Sequence, residues 1–245
     1  MINNNIVDYS SNKYYDSIAN NYNQIFNNRI LYHESIDRIL LKYLIDVDKL
    51  LDIGTGDGLR LLKNISNLDS QPDLLVCLEP SSVLFNIAKT TLSGIDYINC
   101  RNCKLDSFHS EIKFSHITSL WNVIGHVGEP ISFLKKTFDL LSPGGVFVFD
   151  VNNRFNASHY GLINVSINII NELRDYIGKG IFSLNSDIST DFKVYLSSPL
   201  KIYKQLIDVG FEVVETFYID YKTGLKVDSF LCGQALFVCK KPYKY

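Results

Sequence analysis

The segment Lys49-Leu-Leu-Asp-Ile-Gly-Thr-Gly-Asp-Gly58 constrains the fold more than any other. An apolar run ends in glycines at every second position, and Leu59 to Asn67 then resumes with a helical period. A short, continuous apolar run reads as a strand buried on both faces. Glycines at its end allow a sharp turn and a close backbone approach, because no Cβ stands in the way. Strand, glycine turn and helix in that order open a parallel sheet with a binding crevice beyond the strand's carboxyl end.

The alternation continues downstream. Strands are expected at 73–78, 95–100, 115–120 and 146–150, with helices at 82–91 and 131–141 between them. Ser81 or Ser82 caps the first of these helices, and Ser142-Pro-Gly-Gly145 is expected to turn the second into the fifth strand. After Asp150 the alternation stops for about 45 residues, far beyond a usual connection, with one helix expected at 163–176. A helix at 198–209, closed by Gly210, and strands at 211–221 and 235–240 complete the chain. The first 48 residues carry two helical stripes, Ile18, Tyr22, Ile25, Phe26 and Ile36, Ile39, Leu40, Tyr43, Leu44, and no strand. The expected organisation is one domain over 1–245. It comprises a helical cap (1–48), a ligand-binding half (49–150), a substrate-side insert (151–197) and a C-terminal helix with two strands (198–245).

Composition excludes several function classes. Lys plus Arg total 24 against 26 Asp plus Glu, a net charge of −2, which lacks the basic excess of an obligate nucleic-acid binder. No apolar run approaches the ~20 residues of a membrane span. The opening Met1-Ile-Asn-Asn-Asn5 lacks the features of a secretory signal, so a cytoplasmic location is expected. Five cysteines without such a signal read as reduced thiols. Cys100 and Cys103 form one C-x-x-C with no second pair, so no metal is expected.

The loop spacing separates the ligands it can hold. Counting from Gly54, the sixth position of a dinucleotide fingerprint is Leu59 rather than Gly or Ala. Asp57 inside the loop would repel a pyrophosphate but not a sulfonium cation. Gly58-Leu-Arg60 fails the phosphate loop, which needs Gly-Lys-Ser/Thr. Glu79 ends the second expected strand, where a carboxylate can accept both hydroxyls of a ribose.

Leu50-Leu-Asp-Ile-Gly-Thr-Gly-Asp-Gly58, Glu79-Pro80 and Leu141-Ser-Pro-Gly-Gly-Val-Phe-Val-Phe149 together resemble the class I S-adenosylmethionine-dependent methyltransferases. Tyr14-Tyr-Asp-Ser-Ile-Ala-Asn-Asn-Tyr22 is similar to the N-terminal helix of their small-molecule members. The resemblance implies an α/β, Rossmann-like, seven-stranded, mostly parallel sheet with the last strand antiparallel, helices on both faces and an N-terminal helical cap. It implies S-adenosyl-L-methionine as cofactor, S-adenosyl-L-homocysteine as product, and methyl transfer to an oxygen or nitrogen of a small-molecule metabolite. The alternatives are a methyltransferase acting on RNA or protein, and a non-catalytic S-adenosylmethionine-binding partner subunit. By position, Gly54, Thr55, Gly56 and Gly58 would line the methionine and ribose, with Asp52 orienting the loop. Glu79 would hold the ribose and Pro80 would sit beside the adenine. Tyr14 and Tyr22 would close over the methionine end. The Asp usual after strand three is replaced by Arg101-Asn-Cys-Lys104, so the adenine amino group falls to Asn102 with the backbone of Cys103 or Lys104. Asp106 is the fallback. Arg29 is a candidate for the cofactor carboxylate, with a plain surface role as the alternative.

Methyl transfer from a sulfonium is an in-line displacement, so catalysis is chiefly positioning of the acceptor lone pair. The loop after strand four reads Leu120-Trp-Asn-Val-Ile-Gly-His-Val127. Trp121 can stack on the adenine or wall the methyl pocket, and Asn122 can hydrogen-bond the acceptor. His126 is the candidate general base, titrating near neutrality; packing under the next helix is the alternative. Beyond strand five, Asn153 and Arg154, with Tyr160 further on, are candidate readers of the acceptor. Arg154 offers a fork suited to carboxylate or phosphate, against an ordinary Asx-turn loop. The N-terminal Tyr residues are interleaved with Asn and Asp rather than Lys and Arg, which suits a small-molecule cover better than a nucleic-acid reader. Trp121-Asn-Val-Ile124 also lacks the Pro-Pro-Tyr/Phe run of nucleobase amino-methylating members. The expected partner is a small-molecule acceptor, with no nucleic acid and no membrane, and the protein a monomer or homodimer.

Overall fold

The computed structural model describes residues 11–173, 179–182 and 192–243. Among the described residues the cap holds three helices, α1 (Ser11–Ile18), α2 (Tyr22–Asn27) and α3 (Ile30–Leu41), with a 3-10 turn at Ala19–Asn21. The apolar run before the glycines is strand β1 (Lys49–Ile53), and α4 (Leu59–Ile65) follows the loop. The alternation then runs through β2 (Leu74–Leu78), α5 (Ser82–Thr91), β3 (Ile98–Arg101), β4 (Phe114–Ser119), α6 (Pro130–Leu140) and β5 (Leu141–Val151). The insert holds α7 (Ala157–Tyr160), α8 (Leu162–Leu173) and a hairpin of β6 (Lys179–Phe182) with β7 (Phe192–Tyr195). The chain closes with α9 (Pro199–Val209), β8 (Glu212–Ile219), β9 (Lys226–Val227) and β10 (Gln234–Lys240).

The main sheet runs in the order β3-β2-β1-β4-β5-β10-β8-β9. β1 to β5 pair in parallel, and β10 enters antiparallel between β5 and β8. The seven expected strands are all present. The eighth, β9, pairs only at Tyr218↔Val227 and Ile219↔Lys226, too short to show a period in sequence. β5 begins five residues earlier than expected. Ser142 to Gly145 do not separate helix from strand but bulge within the strand, the register passing from Phe114↔Leu141 to His116↔Val146. Gly144, at φ 76°, takes the left-handed turn that the bulge needs. β3 starts at Ile98 instead of 95, because the Ile98 N–H closes a turn onto the Ile95 carbonyl at 3.1 Å. The last residues of the helix expected at 163–176 lie outside the described ones.

Period-two alternation along β5 divides the core between two faces. Phe147, Phe149 and Val151 pack with Phe133, Leu134, Ile202 and Leu206 of α6 and α9. Val146 and Val148 face Tyr32, Ile36, Leu40 and Leu61 of α3 and α4. Burial of each such large side chain contributes ~1.5–3 kcal/mol. Among the described residues no helix is long and apolar enough to cross a membrane.

Candidate functional site

The glycine loop turns in the left-handed region at Gly54 (φ 79°), Gly56 (φ 65°) and Gly58 (φ 81°). The Gly54 and Thr55 amides donate to the Leu78 carbonyl at 2.8 and 3.1 Å, tying the loop to the end of β2. Asp52 is buried, and its carboxylate accepts from the Thr118 hydroxyl at 2.6 Å and the Thr55 hydroxyl at 2.8 Å. It therefore orients the loop through Thr55, and burial pushes its pKa up. Asp57 caps the turn by accepting from the Leu59 amide at 3.1 Å.

Glu79 stands at the end of β2, 6% exposed. Its Oε2 accepts from the Gly56 amide and its Oε1 from the Ser81 amide, each at 2.8 Å. Burial pushes its carboxyl up to about 7 against these two amides. Beside it, half-buried Pro80 leads into α5, and the Asn102 Nδ2 donates to the Glu79 carbonyl at 2.8 Å. That bond uses the Asn102 amide NH2 and leaves its oxygen as the other end of the group. Cys103, also half-buried, follows in the same turn.

The cap lies over this loop and is pinned there. Asp16 Oδ1 accepts from the Ser81 hydroxyl at 2.6 Å and the Val83 amide at 3.2 Å, at the start of α5. A Cβ built on Gly56 would collide with the Tyr22 hydroxyl, and one on Gly54 would meet Val123 Cγ2 at 2.5 Å. Tyr22 packs against Trp121 with centroids 5.3 Å apart; Phe26 and His33 lie 5.4 and 4.8 Å from the same indole. Trp121 is thus a wall shared with the cap, alongside Gly54 and Thr55 in one cavity. Tyr14, by contrast, is buried in the cap's packing, edge-on to Tyr15 at 5.3 Å.

Tyr15, rather than Tyr14, reaches the loop after β4. Its hydroxyl and His126 Nε2 are 3.1 Å apart. Burial pulls the His126 pKa down to about 4, so the ring is neutral at neutral pH and does not titrate there as its unperturbed value suggests. Trp121 (φ 69°) and Asn122 (φ 56°) are consecutive left-handed residues, a conformation that costs of order 1–3 kcal/mol and collects at functional loops. The strain is held by Asp150, which accepts from the Asn122 amide at 3.0 Å and the Tyr32 hydroxyl at 2.7 Å. Asn122 Oδ1 accepts from the Asn152 amide at 2.9 Å, and its buried Nδ2 has no partner among the described residues.

The residues beyond β5 are held differently from expectation. Asn153 is fully buried. Its Nδ2 donates to the Phe230 and Gly233 carbonyls at 2.7 and 3.0 Å, and its Oδ1 accepts from the Phe155 amide at 2.9 Å. Every polar atom of that side chain serves the fold. Arg154 is 3% exposed and its Nη1 pairs with Glu172 of α8 at 3.0 Å, so its fork braces the insert. Tyr160 is half-buried beside His159, which in turn approaches Tyr221 at 5.8 Å. Arg29 stacks 4.2 Å over that same Tyr221 ring.

Two residues near the site went unnoticed in the sequence. Tyr15 sits seven positions before Tyr22, a same-face helical spacing that could have singled it out. His33 is fully buried, stacked on Phe26 at 4.0 Å, and neither ring nitrogen has a partner among the described residues. Burial and the cations Arg60 and Arg29 take its pKa down to about 2. No local pattern marks it.

A family model described as a methyltransferase domain matches residues 26–216. The chain belongs to the S-adenosylmethionine-dependent methyltransferases. No curated protein sequence matches it. Among solved structures, a DhpI complex with S-adenosylhomocysteine superposes with TM-score 0.66 at 15% identity, over 96% of this chain and 97% of that one. The N-methyltransferase NodS from Bradyrhizobium japonicum gives 0.64 at 13%, covering 96% and 98%. A putative methyltransferase bound to the Trm112 activator of Haloferax volcanii gives 0.67 at 16%, covering 96% and 98%.

The cofactor of this methyltransferase is S-adenosylmethionine, and the residues present fit it. Asp52 and Asp57 line a cavity that is covered by Tyr22 and Trp121, which suits a sulfonium cation. The Glu79 oxygens each hold one backbone amide and keep lone pairs for ribose hydroxyls. Bound, the cofactor supplies a methyl group already activated by its positive sulfur.

Proposed function

We propose that this methyltransferase methylates a nitrogen or oxygen of a small-molecule metabolite. The observation that carries the reading is the aromatic cover. Tyr15, Tyr22, Phe26 and Trp121 form a continuous chain of ring contacts over the glycine loop, and Asp16 fastens it to α5. A cover of this kind admits a small acceptor and excludes water, and it suits an amine that becomes cationic on methylation. NodS, with a similar fold, is an N-methyltransferase.

In this reading the Tyr15–His126 pair positions the acceptor. An imidazole neutral down to about pH 4 is a hydrogen-bond partner rather than a strong base. With His126 Nε2 taken by its contact with Tyr15, the Tyr15 hydroxyl oxygen is the atom that can accept from an acceptor N–H or O–H so that the lone pair faces the methyl group. Left-handed Asn122, braced by Asp150, presents its unpartnered Nδ2 on the same loop.

A partner-activated enzyme is the second reading. It is favoured by the likeness to a methyltransferase solved with its Trm112 activator, and by the exposed stripe Leu162, Ile163 and Leu173 on α8, 76%, 79% and 83% exposed. Transfer of labelled methyl from S-adenosylmethionine into a fractionated cell extract tests both. Label in the low-mass fraction with the purified chain alone supports the first reading. Label in RNA or protein overturns it, and activity only with an added protein fraction supports the second.

A further inference from the structure

Arg60 lies in the first turn of α4, two residues past the last loop glycine. Its Nε donates to Asp37 Oδ1 of α3 at 2.8 Å, and Asn64 Nδ2 donates to the same oxygen at 3.3 Å. Asp37 is 5% exposed, so the pair is buried and fixes the plane of the guanidinium. Nη1 and Nη2 are both buried, and neither has a partner among the described residues. Proteins rarely leave charged donors buried and unmet, because the lost hydration is not returned.

The cavity that Arg60 lines is also walled by Gly54, Thr55, Asp57 and Trp121. Its other charged lining groups, Asp52 and Asp57, are acids already engaged by Thr118, Thr55 and the Leu59 amide. The unmet donors therefore call for an anion brought by a ligand. The cofactor has one, the α-carboxylate of its methionine part. Glu79 and Asn102 place the ribose and adenine end toward β2 and β3. Arg60 is instead tied to α3 through Asp37 and lines the cavity beside Gly54, Thr55 and Asp57. With Nε taken by Asp37, the end-on Nη1/Nη2 fork matches the two oxygens of a carboxylate. Arg29, the cation singled out in sequence for this task, is stacked on Tyr221 instead.

We propose that Arg60 is the counter-ion of the cofactor's α-carboxylate, with Asp37 as the positioning residue that holds its fork. The proposal rests on the assignment of the cofactor to the glycine loop, and the test separates the two. Calorimetric binding of S-adenosylmethionine is compared with that of decarboxylated S-adenosylmethionine, which differs only in lacking the carboxylate. The wild-type protein is expected to bind the former at least ~10-fold tighter. Arg60→Met is expected to weaken S-adenosylmethionine by ~10–100-fold and leave the decarboxylated compound unchanged or tighter, bringing the ratio near one. If that variant unfolds by stranding Asp37, the neutral pair Asp37→Asn with Arg60→Gln keeps the buried hydrogen bond and is read the same way. Equal wild-type affinity for the two compounds, or an equal loss of both in the variant, overturns the proposal. A wild-type protein that binds neither compound overturns the cofactor assignment and the proposal with it.

Discussion

Glu79 and Gly56 are joined by a 2.8 Å hydrogen bond from the loop amide to Oε2, so the carboxylate expected to hold the ribose also clamps the glycine loop. The two tasks share one buried charge. That makes the site sensitive to the protonation of a single group.

Burial raises the Glu79 carboxyl to about 7. The sign follows from linkage: folding keeps a proton that the unfolded chain has already released. The group's contribution to apo-protein stability is therefore present below the ordinary carboxyl range and lost as pH rises toward about 7. Ribose hydroxyls favour the ionised form, so cofactor affinity should do the opposite and fall as pH drops below about 7. Titration calorimetry on either side of that pH checks this. Glu79→Gln should flatten the profile, and Glu79→Ala should weaken binding by about 1–3 kcal/mol. An unchanged affinity in Glu79→Ala would remove the residue from the site.

His126 and Tyr15 act as a pair 111 residues apart. With its pKa lowered to about 4, His126 should leave no inflection near neutrality in the kcat profile. Its stabilising effect, as a buried neutral ring, is present above the ordinary His value and lost as pH falls toward about 4. His126→Ala and Tyr15→Phe should each lower kcat by ~10-fold or more with cofactor affinity nearly unchanged. A kinetic pKa near 6.5 that vanishes in His126→Ala would restore the general-base role instead.

Gly56 combines a left-handed φ of 65° with a close approach of the Tyr22 hydroxyl. Gly56→Ala should cost about 1–2 kcal/mol for the backbone alone, plus the collision. Thermal denaturation of Gly56→Ala with and without Tyr22→Phe separates the two. The second change should recover the hydroxyl's share of the collision and leave the backbone part, with the ring carbons still at 3.0 and 3.2 Å. No recovery would mean that Tyr22 does not rest on the loop.

Asp16 joins the cap to α5 through the Ser81 hydroxyl and the Val83 amide. Asp16→Ala should destabilise this junction by about 0.5–2 kcal/mol, the scale of a helix cap. Limited proteolysis should then cut the cap faster, and bound S-adenosylhomocysteine should slow the cutting. Unaltered cleavage would show that the cap is held by its aromatic contacts alone.

β1 falls at Lys49–Ile53, where the apolar run and its glycines place it, and Ser81 caps α5 as its residue type suggests. Those features are local, since the period of a strand and the φ of a turn are set by neighbours in the chain. The same holds for Glu79, whose position follows from the end of a strand. Side-chain partners are another matter. Asn153 resembles a ligand reader in sequence, yet the approach of Gly233 and Phe230, some 80 residues on, absorbs its hydrogen bonds. Arg60 looks like an ordinary helix residue until Asp37 fixes its Nε and burial isolates its other nitrogens. His126 carries no local mark of the burial beside Tyr15 that lowers its pKa to about 4. The sequence by itself determined the layered sheet and the glycine loop, because strand period and turn residues are set by near neighbours, and it pointed to the class of cofactor through the loop spacing and the motifs that resemble the family. Only the tertiary structure decided which polar groups are committed to the fold and which remain for a ligand, because burial and partner choice depend on segments that meet only when the sheet and its cap pack together.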